Sequence, residues 1–301
     1  MSKKQISWIL LIFLSIIWGS SFILIKKGMF TDEGEHIFSS NQVGAIRMLI
    51  ASIVMLPFAI TRIQQIKRKH IAGLLIVCFI GNIFPAFLFP FAERGVSSGF
   101  TGMLNSFTPI FTLLIGIFIF KMKTTKNQVI GILIATIGVI LLSLGGKQSH
   151  SEGNWIHIGA IILATFFYAL NLSVIKYRLN DLKALDIASF AFLFVFPFAL
   201  FSFFYFETEQ SIINNPFAYE GLFYISILAI IGTSLALVIF NKIIAYSSPV
   251  FASSVTYFIP IVAFLIGILY GEKIGVIEFL SLIIVLSGIL FTNKNTIKKN
   301  I

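Results

Sequence analysis

The sequence predicts an all-α integral membrane protein with ten transmembrane helices, arranged as two inverted five-helix repeats. Three observations lead to this fold class. Of the 301 residues, 57% are hydrophobic and only 11% are charged, whereas an ordinary soluble domain is about one-quarter charged. The apolar residues form ten runs, each close to the 20 or so residues that a helix needs to cross a bilayer. An internal repeat divides these runs into two sets of five.

The ten runs are predicted to be helices because backbone polar groups in lipid have to find their partners within the segment. The runs show none of the period-two alternation of barrel strands. The first run follows Lys3 and Lys4 as a signal peptide would, but it continues without a small-residue cleavage site, so we interpret it as a retained helix. The predicted spans are 6–25, 41–61, 71–91, 98–120, 127–146, 155–176, 185–206, 221–242, 250–271 and 275–293.

The basic residues predict the orientation of the bundle. Of the 22 Lys and Arg residues, 16 lie in the termini and loops on one side of the predicted membrane and five lie on the other. Cytoplasmic loops carry the Lys and Arg excess. We therefore expect a multi-pass protein of the inner or plasma membrane with both termini in the cytoplasm. The net charge of +10 is then explained by the orientation of the protein in the membrane. A nucleic-acid partner is therefore excluded as its explanation.

The two halves of the chain resemble each other at an offset of about 150 residues. Residues 107–110 and 114–117 match 258–261 and 265–268, and the segment from Trp18 to Lys26 matches that from Tyr168 to Lys176. These matches predict repeats over 1–146 and 147–301. Because each repeat has an odd number of spans, the second crosses the membrane in the opposite sense, which is typical of secondary transporters.

Three short segments carry a resemblance to a known family. They are Trp18-Gly19-Ser20-Ser21-Phe22 with the following Ile-Lys-Lys-Gly, Arg47-Met48-Leu49-Ile50-Ala51, and residues 91–99 leading into a helix with a central Thr-Pro. In this order the chain resembles the EamA-type branch of the drug/metabolite transporter superfamily. The resemblance implies a central cavity, alternating access, and export or exchange of small metabolites such as amino acids. Lys121 departs from the family pattern, in which an acidic residue often stands there.

Polar and aromatic side chains within the spans are the candidate substrate-binding residues. Polar groups are costly in lipid, so they usually face the interior of a bundle. The alternative is that the Ser, Thr and Asn side chains tie helices together. The amides present donors and acceptors, which suits a zwitterionic or hydroxylated ligand. The candidates are Trp18, Ser21, Arg47, Asn82, Asn105, Tyr168, Asn171, Thr233, Thr256 and Tyr257.

Arg47 is the one formal charge predicted to lie well inside a span. It either snorkels to the outer interface, binds a carboxylate or phosphate of the substrate, or locks the outer gate. Pro109 and Pro260 stand at equivalent positions in the two halves and are predicted to be hinges, with fixed bends as the alternative.

The spans 127–146 and 275–293 contain almost no polar residues, so we expect them to form packing or dimer surfaces. Gly131, Ala135 and Gly138 are spaced for close helix approach. In all ten predicted spans, no Asp or Glu falls at mid-membrane. This absence disfavours a carboxylate relay for protons and disfavours cationic drugs as the main substrate.

The leading hypothesis is a secondary transporter that moves a small polar metabolite, an amino acid or related solute, by alternating access. The first alternative is a carrier or flippase for amphipathic or nucleotide-linked substrates, and the second is a membrane sensor or enzyme. The four histidines form no metal-binding or catalytic pattern, so catalytic residues, metals and cofactors are not expected. The expected partners are the lipid bilayer, a small-molecule substrate and a homodimeric second copy.

Overall fold

The computed structural model describes residues 2–96, 98–145, 155–269 and 276–292. Within these residues the regular structure is helical, apart from an isolated bridge between Phe30 and His36. Six stretches are long and apolar enough to cross a membrane, which makes this an all-helical multi-pass membrane protein. They are Lys3–Met29, Ser40–Gln65, Arg68–Ala92, Trp155–Arg178, Ala184–Tyr205 and Ala218–Tyr246.

The described residues form α-helices joined by short turns, with two π-helical segments between them. The first π segment is Phe79–Ile83 and the second is Ile230–Leu235. The helices are α1 (Lys3–Met29), α2 (Ser40–Arg62), α3 (Arg68–Cys78), α4 (Phe84–Ala92), α5 (Ser98–Asn105), α6 (Thr108–Phe118), α7 (Lys126–Gly145), α8 (Trp155–Arg178), α9 (Ala184–Tyr205), α10 (Thr208–Asn214), α11 (Ala218–Ala229), α12 (Ala236–Tyr246), α13 (Pro249–Ser253), α14 (Val255–Leu269) and α15 (Val276–Thr292).

Every predicted span coincides with helical structure, but four spans are not single uninterrupted α-helices. The spans 71–91 and 221–242 each contain a π segment, and 98–120 and 250–271 are each split into two helices. The expectation of one continuous helix for the last two is therefore wrong. The last residues of 127–146, 250–271 and 275–293 lie outside the described residues, and the count of ten transmembrane helices stays a prediction.

The two halves of the sequence do not pack as two separate bodies. α1, from the first half, packs against α11, α12 and α14 of the second half. Correspondingly, α8 from the second half packs against α3, α4, α5 and α6 of the first. The first helix of each half is thus inserted among helices of the other half, and the protein interior is built from both.

α7 and α15 pack closely against each other through small residues. A Cβ atom on Gly138 would lie 2.7 Å from Val285 Cγ2, and one on Gly288 would lie 2.4 Å from the backbone nitrogen of Ala135. Such approaches are possible only where the side chain is a hydrogen. The predicted packing face of Gly131, Ala135 and Gly138 is therefore covered within a single chain by α15.

Polar contacts hold α2 and α9 together at both ends. At one end Arg62 Nη1 lies 2.8 Å from Oδ1 of the buried Asp186. At the other, Gln42 Nε2 donates to the Phe206 carbonyl at 3.0 Å and to Ser211 Oγ at 2.6 Å. In the turn between α8 and α9, hydrogen bonds from Lys69 and His70 hold the pKa of Asp181 below its usual range.

We predict that Gly288→Ala destabilises the protein, because the new methyl group would meet backbone atoms of α7 that cannot rotate away. Overpacking of this kind costs about 1–3 kcal/mol, so the midpoint of thermal unfolding in detergent should fall. Gly159→Ala in α8 is the matched control, since its Cβ would meet nothing within 4 Å and alanine favours a helix. Equal midpoints for the two variants would contradict the packing described here.

Candidate functional site

A cavity of about 70 Å³ lies where α1, α2 and α8 meet the two π segments and their neighbours. Its wall is mixed, with one cationic, several amide and hydroxyl, and many aromatic and aliphatic side chains. The lining residues are Trp18, Ser21, Phe22, Ile25, Arg47, Met48, Gly81, Asn82, Ala86, Phe89, Asn105, Thr108, Tyr168, Asn171, Leu172, Gly232, Thr233, Leu237, Phe240, Ser253, Thr256 and Ile259.

Nine of the ten candidate residues line this cavity, although they come from seven different helical segments. Burial alone does not account for this, because Ser173 and Ser234 are equally buried and do not line it. Those two hydroxyls bond to backbone carbonyls, of Ala169 and Ala51 respectively. The nine are Trp18, Ser21, Arg47, Asn82, Asn105, Tyr168, Asn171, Thr233 and Thr256.

Tyr257 is the one candidate that is not among the cavity-lining residues. Its side chain is only 1% exposed and points toward α7, where its hydroxyl lies 3.4 Å from Thr136 Oγ1 and 3.5 Å from the Ile132 carbonyl. Successive residues of a helix point about 100° apart. Because Thr256 faces the cavity, its neighbour Tyr257 is directed into the packing against α7 instead.

The two π segments each place an equivalent residue on the cavity wall. Asn82 Nδ2 donates to the Val77 carbonyl at 2.7 Å, and Thr233 Oγ1 donates to the Leu228 carbonyl at 2.9 Å. In both cases the acceptor lies five residues earlier, and the offset between the two pairs is 151 residues. Widened π turns are frequent at functional sites, and here they bring polar side chains to the cavity.

Small and polar residues of the two halves also interlock in pairs. A Cβ on Gly81 would lie 2.6 Å from the Asn171 side chain, and one on Gly232 would lie 2.9 Å from Ser21 Oγ. Trp18 Nε1 donates to the Gly232 carbonyl at 3.1 Å. The two glycines therefore let α1 and α8 approach the π segments closely enough for their polar side chains to reach the cavity.

Aromatic pairs form two further parts of the wall. Trp18 packs edge-on against Phe240 with ring centroids 4.8 Å apart, and Tyr168 stacks on Phe89 at 5.7 Å. Trp18 is equivalent to Tyr168, and Phe89 to Phe240, by the offset of the repeat. Sequence reasoning missed both phenylalanines because phenylalanine is abundant in this chain; pairing them through the repeat would have found them.

The two candidate hinge prolines leave backbone carbonyls that hydroxyl groups satisfy. A proline lacks the N–H that would bond four residues back, which frees the carbonyls of Asn105 and Thr256. Thr108 Oγ1 donates to the Asn105 carbonyl at 2.7 Å, and Ser106 Oγ donates to the Thr256 carbonyl at 2.9 Å. The surroundings differ, since Pro109 lies in the first turn of α6 whereas Pro260 lies inside α14.

Arg47 faces the cavity, as is required if it binds the substrate or locks the outer gate. Its Nε donates to Thr233 Oγ1 at 2.8 Å, and Tyr168 and Glu93 are close enough to interact with its charge. Within the described residues, no group of three His, Cys, Asp or Glu side chains is placed to hold a metal ion. Among the described residues that line the cavity, Arg47 alone carries a formal charge.

Comparison with known proteins identifies the family. A sequence profile described as "EamA-like transporter family" matches residues 6–144 and again residues 155–294. The chain belongs to the EamA-like transporter family. It is a membrane transporter, and its relatives are named as transporters rather than enzymes.

Two relatives of this family match nearly the whole chain. "Uncharacterized inner membrane transporter YedA" of Escherichia coli K12 is 27% identical over 290 residues, which is 93% of this chain and 88% of the relative. "Uncharacterized transporter YetK" of Bacillus subtilis 168 is 28% identical, covering 96% of this chain and 88% of the relative. A crystal structure that is 14% identical shares the fold, with a TM-score of 0.68 over 97% of this chain and 98% of that one.

We predict that Thr256 and Tyr257 differ sharply in their access to solvent through the EamA cavity. In a Cys78→Ala background, Thr256→Cys should react with a small methanethiosulfonate reagent in membrane vesicles, because it replaces a cavity-lining side chain. Tyr257→Cys should react much more slowly, because position 257 packs against α7. The measurement is the rate of thiol labelling, and equal rates would contradict the assignment of the two side chains.

Proposed function

We propose that this EamA-like protein moves a small polar metabolite, an amino acid or related solute, across the membrane by alternating access. The observation that carries the proposal is that repeat-related residues of both halves line one cavity within the helical bundle. Trp18 and Tyr168, Asn82 and Thr233, and Asn105 and Thr256 form such pairs on its wall. A site shared by two related halves is accessible from either side when the halves rock against each other.

The repeat also supports the finer architecture that we propose, namely ten transmembrane helices in two inverted repeats, 1–146 and 147–301, around a central cavity. The π segments, the pairs of glycine and polar residues, and the aromatic pairs all recur at an offset of 150 or 151 residues. Five spans in each half would bring these equivalent elements to the cavity from opposite sides of the membrane. The family profile matches each half separately.

The hinge proposal concerns the segments around Pro109 and Pro260. The helix is interrupted between α5 and α6 at Ser106 and Phe107, and between α13 and α14 at Ser254. Both interruptions directly follow cavity residues, Asn105 and Ser253. Because hydroxyl groups hold the freed carbonyls instead of the helix ladder, these segments can bend at a smaller energetic cost than an intact helix.

The polar lining favours a compact, hydrogen-bonding solute over the amphipathic alternative. A cavity of about 70 Å³ holds several waters or a small solute, whereas a flipped lipid needs a continuous lateral path. A further relative, the "Probable amino-acid metabolite efflux pump" of Salmonella typhimurium, is 25% identical over 53% of this chain and 50% of its own length. That name supports amino acids or their derivatives as the substrate class, with export as the direction.

The basic loops support an orientation with both termini in the cytoplasm. We expect a fluorescent reporter fused after Ile301 to fold and emit in intact cells, and an alkaline phosphatase fused there to be inactive. The reverse pattern should appear for fusions within the polar segment 207–220, which the same rule places outside. An active phosphatase at the C-terminus would contradict this topology.

The small-residue face of α7 is covered by α15, so a homodimer would have to use another face.

Counterflow in proteoliposomes tests the transport function directly. We expect vesicles that contain the purified chain and an unlabelled amino acid to accumulate the labelled form, with sugars and nucleotide sugars as negative controls. Asn171→Ala should reduce this uptake at least tenfold without a large loss of stability. The reason is that the buried Asn171 Oδ1 has no hydrogen-bond partner among the described residues and lines the cavity.

Asn241→Ala is the matched control for that prediction. Asn241 is also a buried amide within the second half, but it lies outside the cavity lining and its Nδ2 donates to the Ala184 carbonyl at 3.3 Å. We expect this variant to lower the thermal midpoint and to leave counterflow per folded molecule unchanged. Wild-type uptake in Asn171→Ala would contradict the cavity assignment, and uptake restricted to nucleotide sugars would favour the alternative substrate class.

A further inference from the structure

Arg47 enters the cavity deep within α2. It lies seven residues after Ser40, the first residue of the helix, which is about 10 Å along the helix axis. Of its guanidinium nitrogens, only Nε has a hydrogen-bond partner among the described residues, namely Thr233 Oγ1 at 2.8 Å. Both Nη groups, with four N–H donors between them, remain available at the cavity wall.

Thr233 determines how this guanidinium is aimed. A hydroxyl has a single proton, and the geometry directs that of Thr233 to the Leu228 carbonyl at 2.9 Å. Its oxygen therefore accepts the Nε–H of Arg47. The second π segment makes this possible, because its wide turn brings Thr233 within reach of a carbonyl five residues earlier. Arg47, from the first half, is thus held by a residue of the second.

In the part of the chain that the structure describes, Arg47 forms no ion pair within 4.0 Å; the buried Glu93 acts on its charge but does not line the cavity. The ion pairs within 4.0 Å there join Lys27 to Asp32, Arg62 to Asp186, and Lys69 and His70 to Asp181. A buried charge is strongly unfavourable unless an opposite charge pairs with it. A cation that faces a cavity, with its donors free, is therefore suited to an anion that enters that cavity.

We propose that Arg47 is the carboxylate-binding residue of this carrier and that Thr233 is the positioning residue that holds its guanidinium toward the cavity. This proposal rests on the transport function proposed above and narrows its substrates to solutes with a free carboxylate. The planar fork of an arginine matches the two oxygens of a carboxylate.

The charge and size of the cavity favour a carboxylate over a phosphate. A phosphate monoester carries about −1.5 to −2 charges at neutral pH, whereas one arginine supplies a single positive charge. The amide and aromatic groups of the cavity are neutral. Asn171 Oδ1, buried and without a partner among the described residues, can accept an N–H of the same solute, which an α-amino acid provides.

Binding to the purified full-length chain tests this proposal without any need for transport. The probes are alanine, serine, threonine, leucine and phenylalanine, each as the free acid and as its carboxamide. We expect at least one free acid to raise the thermal unfolding midpoint of the wild type while its carboxamide does not. We expect no such shift in Arg47→Gln. The proposal is overturned if no free acid shifts the wild type, or if acids and amides act equally.

The variants distinguish binding from a general loss of structure. A charge-assisted hydrogen bond contributes about 1.5–3 kcal/mol, so we expect acid affinity to fall about ten- to hundredfold in Arg47→Gln, with a smaller loss in Arg47→Lys. The matched control is Lys176→Met, because Lys176 is a partly buried cation outside the cavity that donates to the carbonyls of Ile244 and Ser247. It should keep the preference for the acid over the amide.

The role of Thr233 requires a different measurement. In counterflow with the best free acid, Thr233→Val should raise KM about tenfold with little change in maximal rate, and Thr233→Ser should restore the wild-type KM. If Thr233→Val lowers only the amount of folded protein, the positioning role is wrong. If acids bind but no solute shows counterflow, the proposed transport function is wrong and the carboxylate site stands. If solutes show counterflow but acids and amides bind equally, the carboxylate site is wrong and the transport function stands.

Discussion

The structure depends on the requirement that every polar group inside the hydrocarbon finds a partner within the protein. Most of the chain meets this requirement with regular helix. At the cavity the helices are irregular, both at prolines and in the π segments, and side chains replace the missing backbone hydrogen bonds. Near the prolines, Thr108 and Ser106 donate to the freed carbonyls. In the π segments, Asn82 and Thr233 each donate to the carbonyl five residues earlier. Among the described residues, Asn171 Oδ1 is a buried polar atom of the cavity wall that remains without a hydrogen-bond partner.

The cavity exists because the halves exchange their first helices. α1 packs among helices of the second half and α8 among those of the first, so each carries its aromatic and polar residues to the opposite π segment. Gly81 and Gly232 permit that approach. The repeat-related pairs are similar but not identical: Asn82 in the first half corresponds to Thr233 in the second, and Arg47 has no counterpart in the second half. This asymmetry gives the site a single charge, and with it a direction in which a charged solute would be oriented.

Much of this arrangement could be predicted from the chain alone. Hydropathy and length identified the helical spans. Because polar groups exposed to lipid are costly, the polar residues within the spans are predicted to face the interior, and nine of the ten candidates line the cavity. The same reasoning could not show that the Tyr257 side chain packs toward α7. A one-residue step along a helix changes the face on which a side chain lies, and span boundaries do not define that face. The reasoning also missed Phe89 and Phe240, and it treated 98–120 and 250–271 as continuous helices although turns interrupt them.

The sequence by itself therefore determined the class, the family and most of the polar residues that line the cavity, because these follow from transfer free energies and from residues that recur at a fixed spacing. Only the tertiary structure shows that the Arg47 side chain faces the cavity. Whether that side chain snorkels or faces the interior depends on Thr233, 186 residues away, and on the π turn that presents its hydroxyl. A long-range hydrogen bond of this kind has no local signature, since it arises only when two halves of the chain pack together.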